Sequence, residues 1–254
     1  MSLITLRPAT LADSDAISNI HYSALDKYHI FYSAIFQNHP RDIIRIGNRN
    51  AIQDPGRTVV VAEEEGGEIV GFIIYQIANS NSNKSEDDTS DGPPLPISEP
   101  KEHLKELWDR FNERNVEMDK VKEEAIKGEK HYGRFPSIKP VECYLLTCSL
   151  EVLQLMVHPS HQRSGVGSRL LSSALTKADA DSAPTLVTSS AEGHGLYLKH
   201  KFRSLGKTWP VDNAQWAGEA AKLDSNLGRD FVAACSDLYE EEDCMIRQPS
   251  FRSS

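Results

Sequence analysis

Residues 151–168, EVLQLMVHPSHQRSGVGS, constrain this chain more than any other stretch. An apolar run, VLQLMV, reads as a strand and ends at Pro159. A polar turn follows, and an apolar period resumes in Leu170, Leu171, Ala174, Leu175 and Ala178, so 167–179 reads as a helix. Gly165 and Gly167 lack a Cβ and let a ligand approach the backbone closely. The helix directs its unpaired N–H groups and positive dipole end at the same turn, and Arg163 adds a full charge. Such a turn suits a phosphate or pyrophosphate.

Two common phosphate-binding patterns fail on residues. A P-loop needs Gly-Lys-Ser/Thr, but Gly167 is followed by Ser168 and Arg169. A dinucleotide fingerprint needs a glycine where Leu170 stands. Taken alone, the two glycines also fit an ordinary turn that starts a helix.

The remaining elements predict one α/β domain. Residues 3–7 read as a strand and 11–25 as a helix, with Thr10 and Asp13 in a variant of the capping pattern. A second helical stretch covers 27–36 or 40–52. Residues 58–62 and 69–77 form a hairpin, 185–190 a strand, 193–201 a short helix and FRSLGKTW another strand; CMIRQP is a candidate closing strand. Between these, NSNSNKSEDDTSDGPPLP has almost nothing to bury and predicts a mobile loop over 80–97. Ser98 is a candidate cap for a helix whose stripe runs Leu104, Leu107, Trp108, Phe111, Met118, Val121 and Ala125, with Gly128 as its stop. The stripe is expected to dock on the core.

Charge and composition exclude several classes. The net charge of −9 argues against a dedicated nucleic-acid binder. Residues 79–130 and 212–243 carry the acidity, and the remainder is mildly basic, which favours an anionic ligand there. Both acidic segments are expected to be largely solvated surface. The cysteines Cys143, Cys148, Cys235 and Cys244 form no CxxC pair, so neither structural zinc nor a disulfide framework is expected, and a reducing compartment is the default. No apolar run reaches the ~18 residues of a membrane span. The opening MSLITLRPAT lacks the apolar core of a secretory signal.

Read together, Gln162-Arg163-Ser164-Gly165-Val166-Gly167 resembles the Q/R-x-x-G-x-G/A signature of the GNAT superfamily of acetyl-CoA-dependent N-acyltransferases. Leu155-Met156-Val157-His158-Pro159 resembles that family's cofactor strand, and LRPAT-x-x-D its usual opening. Gly193, Leu196, Tyr197 and Phe202 match the spacing of its "LYEKLGF" segment. Lys201 departs from the usual glycine, and Ser190 replaces a frequent Asn, as in a fungal-type branch. The resemblance covers most of 1–78 and 141–210. Residues 79–140 and 212–243 are then insertions in a single GNAT-like domain spanning 1–254.

The resemblance implies a mixed, largely antiparallel central sheet, flanked by helices, whose two parallel strands splay near 152–157 and 185–190. Acetyl-CoA would lie in the cleft as co-substrate, with no metal. Leu155, Met156 and Val157 would line its pantetheine arm. Gln162, Arg163, Ser164, Gly165, Val166, Gly167 and Ser168 would hold its pyrophosphate, and Ser190 would complete the site. Tyr197 would protonate the departing thiolate, and Glu151 would act as general base, directly or through water. Glu142 and His158 are further base candidates. The acceptor would be the amine of a small molecule or peptide, and the enzyme a cytoplasmic or nuclear monomer or homodimer with no nucleic-acid or membrane partner. The competing expectation is a non-catalytic acyl-CoA sensor using the same cleft.

Overall fold

The computed structural model describes residues 3–79, 98–128 and 148–250. Among the described residues, seven strands form one sheet. In chain order they are β1 (Ile4–Pro8), β2 (Arg57–Glu64), β3 (Ile69–Asn79), β4 (Cys148–Val157), β5 (Thr185–Ser189), β6 (Arg203–Asp212) and β7 (Tyr239–Arg247). Their spatial order is β1-β2-β3-β4-β5-β7-β6, and every pairing is antiparallel except β4 with β5. The CMIRQP segment enters the sheet as part of β7, between β5 and β6.

Helices α1 (Ser14–Ala24), α2 (His29–Ile35) and α3 (Pro40–Gln53) follow β1, so both candidate stretches in 27–52 are helical. Pro8 ends β1. Asp13 then accepts from the Thr10 N–H at 2.7 Å and receives both terminal nitrogens of Arg7 at 2.8 and 2.9 Å. The Arg7 guanidinium holds the Asp13 carboxyl well below the usual carboxylate range.

Successive side chains of β3 point to opposite faces. Phe72 and Ile74 meet Ile17, Ile20 and Ala51 of α1 and α3. Ile73 and Tyr75 meet α5 (Val166–Ala180), which contributes Leu170, Leu171, Ala174 and Ala178. The sheet is thus covered on both sides.

β4 carries a bulge. Ile74 pairs with Gln154 and its neighbour Tyr75 with Val152, so Leu153 is an extra residue. The parallel pairing of β4 with β5 stops at the same place, after Leu150–Val152 against Thr185–Val187. Residues 153–157 run on with β3 on one side and, among the described residues, no strand on the other.

A second apolar cluster lies apart from the sheet core. It joins α2, α4 (Lys105–Gly128), α7 (Asn213–Leu223) and α8 (Arg229–Ala234) through Phe31, Leu104, Leu107, Phe111, Ala217, Ala220, Cys235 and Leu238. Segment 212–243 forms α7, α8 and the start of β7 and buries apolar side chains, while most of its charged residues are exposed. One sequence expectation is corrected here. Ser98 is not the helix cap: a 3-10 turn with Lys101 at its N-cap leads into α4. The mobile loop expected at 80–97 lies outside the described residues.

Docking of α4 makes a direct prediction. Phe111 is buried, whereas Val116 on the same helix is 58% exposed. Phe111→Ala should cost about 3–5 kcal/mol of stability, and Val116→Ala should stay within ~0.5 kcal/mol. Urea unfolding of the two variants checks this; equal effects would show that the stripe is not packed.

Candidate active site

The turn between β4 and α5 is built stepwise. Pro159–His161 form a 3-10 turn, and the His158 imidazole accepts from the Ser160 N–H. Ser164 donates its hydroxyl to the His161 carbonyl. Arg163 and Gly165 both take positive φ, 62° and 91°, and Gly165 is the N-cap of α5. Positive φ strains residues that carry a Cβ, which accounts for glycine at 165. The first bond into α5 runs from the Arg169 N–H to the Gly165 carbonyl at 3.1 Å. Among the described residues, the N–H groups of Arg163, Ser164, Gly165, Val166, Gly167 and Ser168 make no backbone hydrogen bond of ordinary geometry. A helix start alone leaves four such donors; this turn leaves six, at the positive end of a 15-residue helix.

The side chains around the turn have separate tasks. Val166 is buried in the core, so only its main chain faces the turn. Gly71 of β3 lets it sit there: a Cβ on Gly71 would lie 3.0 Å from the Met156 carbonyl and 3.1 Å from Val166 Cγ1. Gln162 donates its amide to the Val157 carbonyl at 3.2 Å, and Arg163 is exposed. The Ser168 hydroxyl meets His200 Nε2 at 2.6 Å.

The splay lies directly below this turn. Gly167 faces Leu155 and Val157 of β4 and Leu196 of α6 (Ala191–Lys199), each 3.5–3.6 Å from where its Cβ would stand. Met156 points to the opposite face, against the α1–α3 cluster. Tyr197 lies beside Leu196, buried, with its ring edge-on to Phe202 at 5.3 Å. Burial pushes its phenol up to about 12, so it keeps its proton at neutral pH. Ser190 is the N-cap of α6 and accepts from the Gly193 N–H.

Glu151 stands just before the bulge. One carboxylate oxygen accepts from Lys122 Nζ at 2.7 Å and the other from Gln76 Nε2 at 3.1 Å. Burial opposes the charge of Lys122, but its bonds to Glu151 and Asp119 outweigh that and raise its pKa. A base role for Glu151 therefore requires this pair to open. His158 is engaged by Ser160, and Glu142 lies outside the described residues.

On the opposite face of β4 the bulge opens on a cavity of about 350 Å3, bounded by Leu153, Gln154 and Ile74 and by α1, α2 and α3. Sequence reading missed this cavity, Gly71 and Lys122. A glycine within the apolar run IVGFII was the one available signal for Gly71. Among the described residues, no group of three His, Cys, Asp or Glu side chains is placed to hold a metal, and no helix is long and apolar enough to cross a membrane.

Residues 132–204, the span that includes the splay and the turn, match the family model described as Acetyltransferase (GNAT) domain. No curated protein matches the chain at a significant level of sequence similarity. Solved structures share the fold. A histone acetyltransferase HPA2 and related acetyltransferase from Corynebacterium glutamicum is 18% identical, with 100% of each chain covered and a TM-score of 0.53. A mosquito arylalkylamine N-acetyltransferase like 5b is 13% identical over 97% of this chain and 100% of that one, with a TM-score of 0.53. An agmatine N-acetyltransferase is 12% identical over 96% and 99%, with a TM-score of 0.51. The chain thus carries a GNAT acetyltransferase domain match at 132–204, within a mixed α/β fold shared with solved acetyltransferases.

Proposed function

We propose that this protein is an N-acetyltransferase that moves an acetyl group from acetyl-CoA to a primary amine of a small molecule or peptide, by direct transfer with both substrates bound. One observation carries the reading: among the described residues, the N–H groups of Arg163–Ser168 make no backbone hydrogen bond of ordinary geometry, and they stand at the mouth of a cleft whose one wall is a strand edge with no described strand beside it. That combination fits a long ligand with a pyrophosphate at one end and amide groups along its arm.

Acetyl-CoA supplies an acetyl thioester, which an uncharged amine can attack. In this reading the N–H groups of Arg163–Ser168 bind the pyrophosphate, while Gln162 braces the turn against Val157. Leu155, Val157, Gly167 and Leu196 line the arm and exclude water. As the C–N bond forms and the C–S bond breaks, Tyr197, protonated at neutral pH, gives its proton to the sulfur. The amine proton leaves through water or a base, with Glu151 as the candidate once Lys122 withdraws. Ser190 contributes by fixing the start of α6, on which Tyr197 is carried. The free thiols Cys148, Cys235 and Cys244 suit a reducing compartment, cytoplasmic or nuclear.

Two variants test the two ends of the cleft. Gly165→Val places a branched side chain at φ 91° and should reduce acetyl-CoA affinity at least tenfold in isothermal titration, with the circular dichroism of the folded protein retained. Wild-type affinity in a folded variant would contradict the assigned turn.

Tyr197→Phe removes one hydroxyl and should leave binding nearly intact. Where chemistry limits the rate, turnover measured by thiol release should fall roughly 100- to 10,000-fold, equivalent to about 3–5 kcal/mol of barrier. Undiminished turnover would rule out the assigned proton donor. A wild-type protein that binds acetyl-CoA but turns over no amine would favour the sensor reading.

A further inference from the structure

The cavity beneath the bulge has a chemistry of its own. At about 350 Å3 it falls at the small end of ligand pockets. Tyr32, Phe36, Ile43, Ile44 and Leu153 supply most of its apolar wall. Among the described residues that line it there is no carboxylate, and the one guanidinium, Arg57, is paired with Asp54 at 3.1 Å.

Its polar groups are mainly hydrogen-bond acceptors. His29 donates from Nε2 to the Tyr22 carbonyl at 2.6 Å, which leaves its other ring nitrogen as an acceptor. His21 contacts Asn48, and burial lowers its pKa to about 4, so it is uncharged at neutral pH. The side-chain oxygen of Gln154 is buried and has no hydrogen-bond partner. A buried orphan acceptor is costly unless something donates to it. Gln154 follows the bulged residue, where β4 parts from β5.

None of the acidic residues that the structure describes in these segments lines the cavity, and three of them are paired elsewhere: Glu219 with Arg110, Glu242 with Arg114 and Glu117 with Lys207. A polycationic acceptor therefore finds no counter-charge in the described wall. An apolar wall also favours the uncharged form of an amine, the form that attacks.

Resting on the acetyltransferase reading above, we infer that this cavity is the acceptor pocket and that it selects a monoamine with an apolar, uncharged body, the amine N–H being received by Gln154, over polyamines and lysine-rich peptides. Gly47 provides a handle on the pocket. It lies in the interior of α3, borders the cavity, and a Cβ built there meets nothing within 4 Å. A larger residue at 47 fills the cavity while improving helix propensity.

The test has two arms. With saturating acetyl-CoA, thiol release is compared for 2-phenylethylamine, hexylamine, spermidine and a lysine-rich peptide. The inference predicts kcat/KM at least 100-fold higher for the first two than for the last two. A preference for spermidine or the peptide would overturn it. In the second arm, 2-phenylethylamine is titrated directly into wild-type protein and into Gly47→Leu. Binding should weaken at least tenfold in Gly47→Leu, with acetyl-CoA affinity unchanged and thermal stability no lower. Gln154→Leu should weaken it as well. Absence of amine binding, or binding indifferent to Gly47→Leu, would overturn the pocket assignment. Amine binding that Gly47→Leu weakens, without any thiol release, would refute the acetyltransferase reading, and with it the acceptor role, while keeping the cavity as an amine-binding site.

Discussion

The structure turns on one extra residue in one strand. Leu153 interrupts the register of β4 against β3, and the parallel pairing with β5 ends one residue earlier, at Val152. A bulge bends and twists the strand that carries it. Here the consequence is a strand edge, residues 153–157, left open inside the fold. Unpaired strand-edge groups can pair with an extended ligand laid along them, as proposed here for acetyl-CoA. The same bend sets Leu153 and Gln154 at the cavity on one face of the sheet, while Leu155 and Val157 border Gly167 and Leu196 on the other. One local irregularity thus borders both proposed substrate sites.

The flanking elements hold that irregularity in place. Gly71 brings α5 close to β3, which sets the helix start above the open edge. On the far side, α4 reaches across the sheet, and Lys122 ties Glu151 just before the bulge. The second apolar cluster anchors α4, and the charged residues along it pair with segment 212–243. Individual pairs of this kind contribute little, about 0–1 kcal/mol each at the surface. The buried Leu104, Leu107 and Phe111 do most of the fixing, since each large apolar side chain contributes ~1.5–3 kcal/mol. Arg110 and Arg114 of α4 thus meet Glu219 and Glu242 of the second acidic segment.

Much of this was legible in the sequence because it rests on local rules. Gly165 at the turn reports a backbone requirement that glycine satisfies, and the apolar period of α5 and the apolar run at 69–77 report a helix and a strand. The apolar stripe of α4 was also readable, since a helix face that must be buried shows as a 3.6-residue period. What it docks on was not, because that depends on residues a hundred positions away. The bulge left no trace: in VLQLMV nearly every side chain is apolar, so the pattern does not show where the period slips by one. Ser190 matched a family position, but its observed bond is a helix cap. The acidity of 212–243 suggested solvated chain, because composition does not reveal which charges face one another.

The central claim is that the open edge of β4 and the start of α5 together form the coenzyme A site. Backbone amide 1H–15N spectra recorded during a titration with coenzyme A test it most directly, since they report each N–H separately. The largest shifts should fall on Arg163–Ser168, with a second group at Leu153–Val157. Saturable binding that leaves both groups unmoved, with shifts confined to other elements, would contradict it.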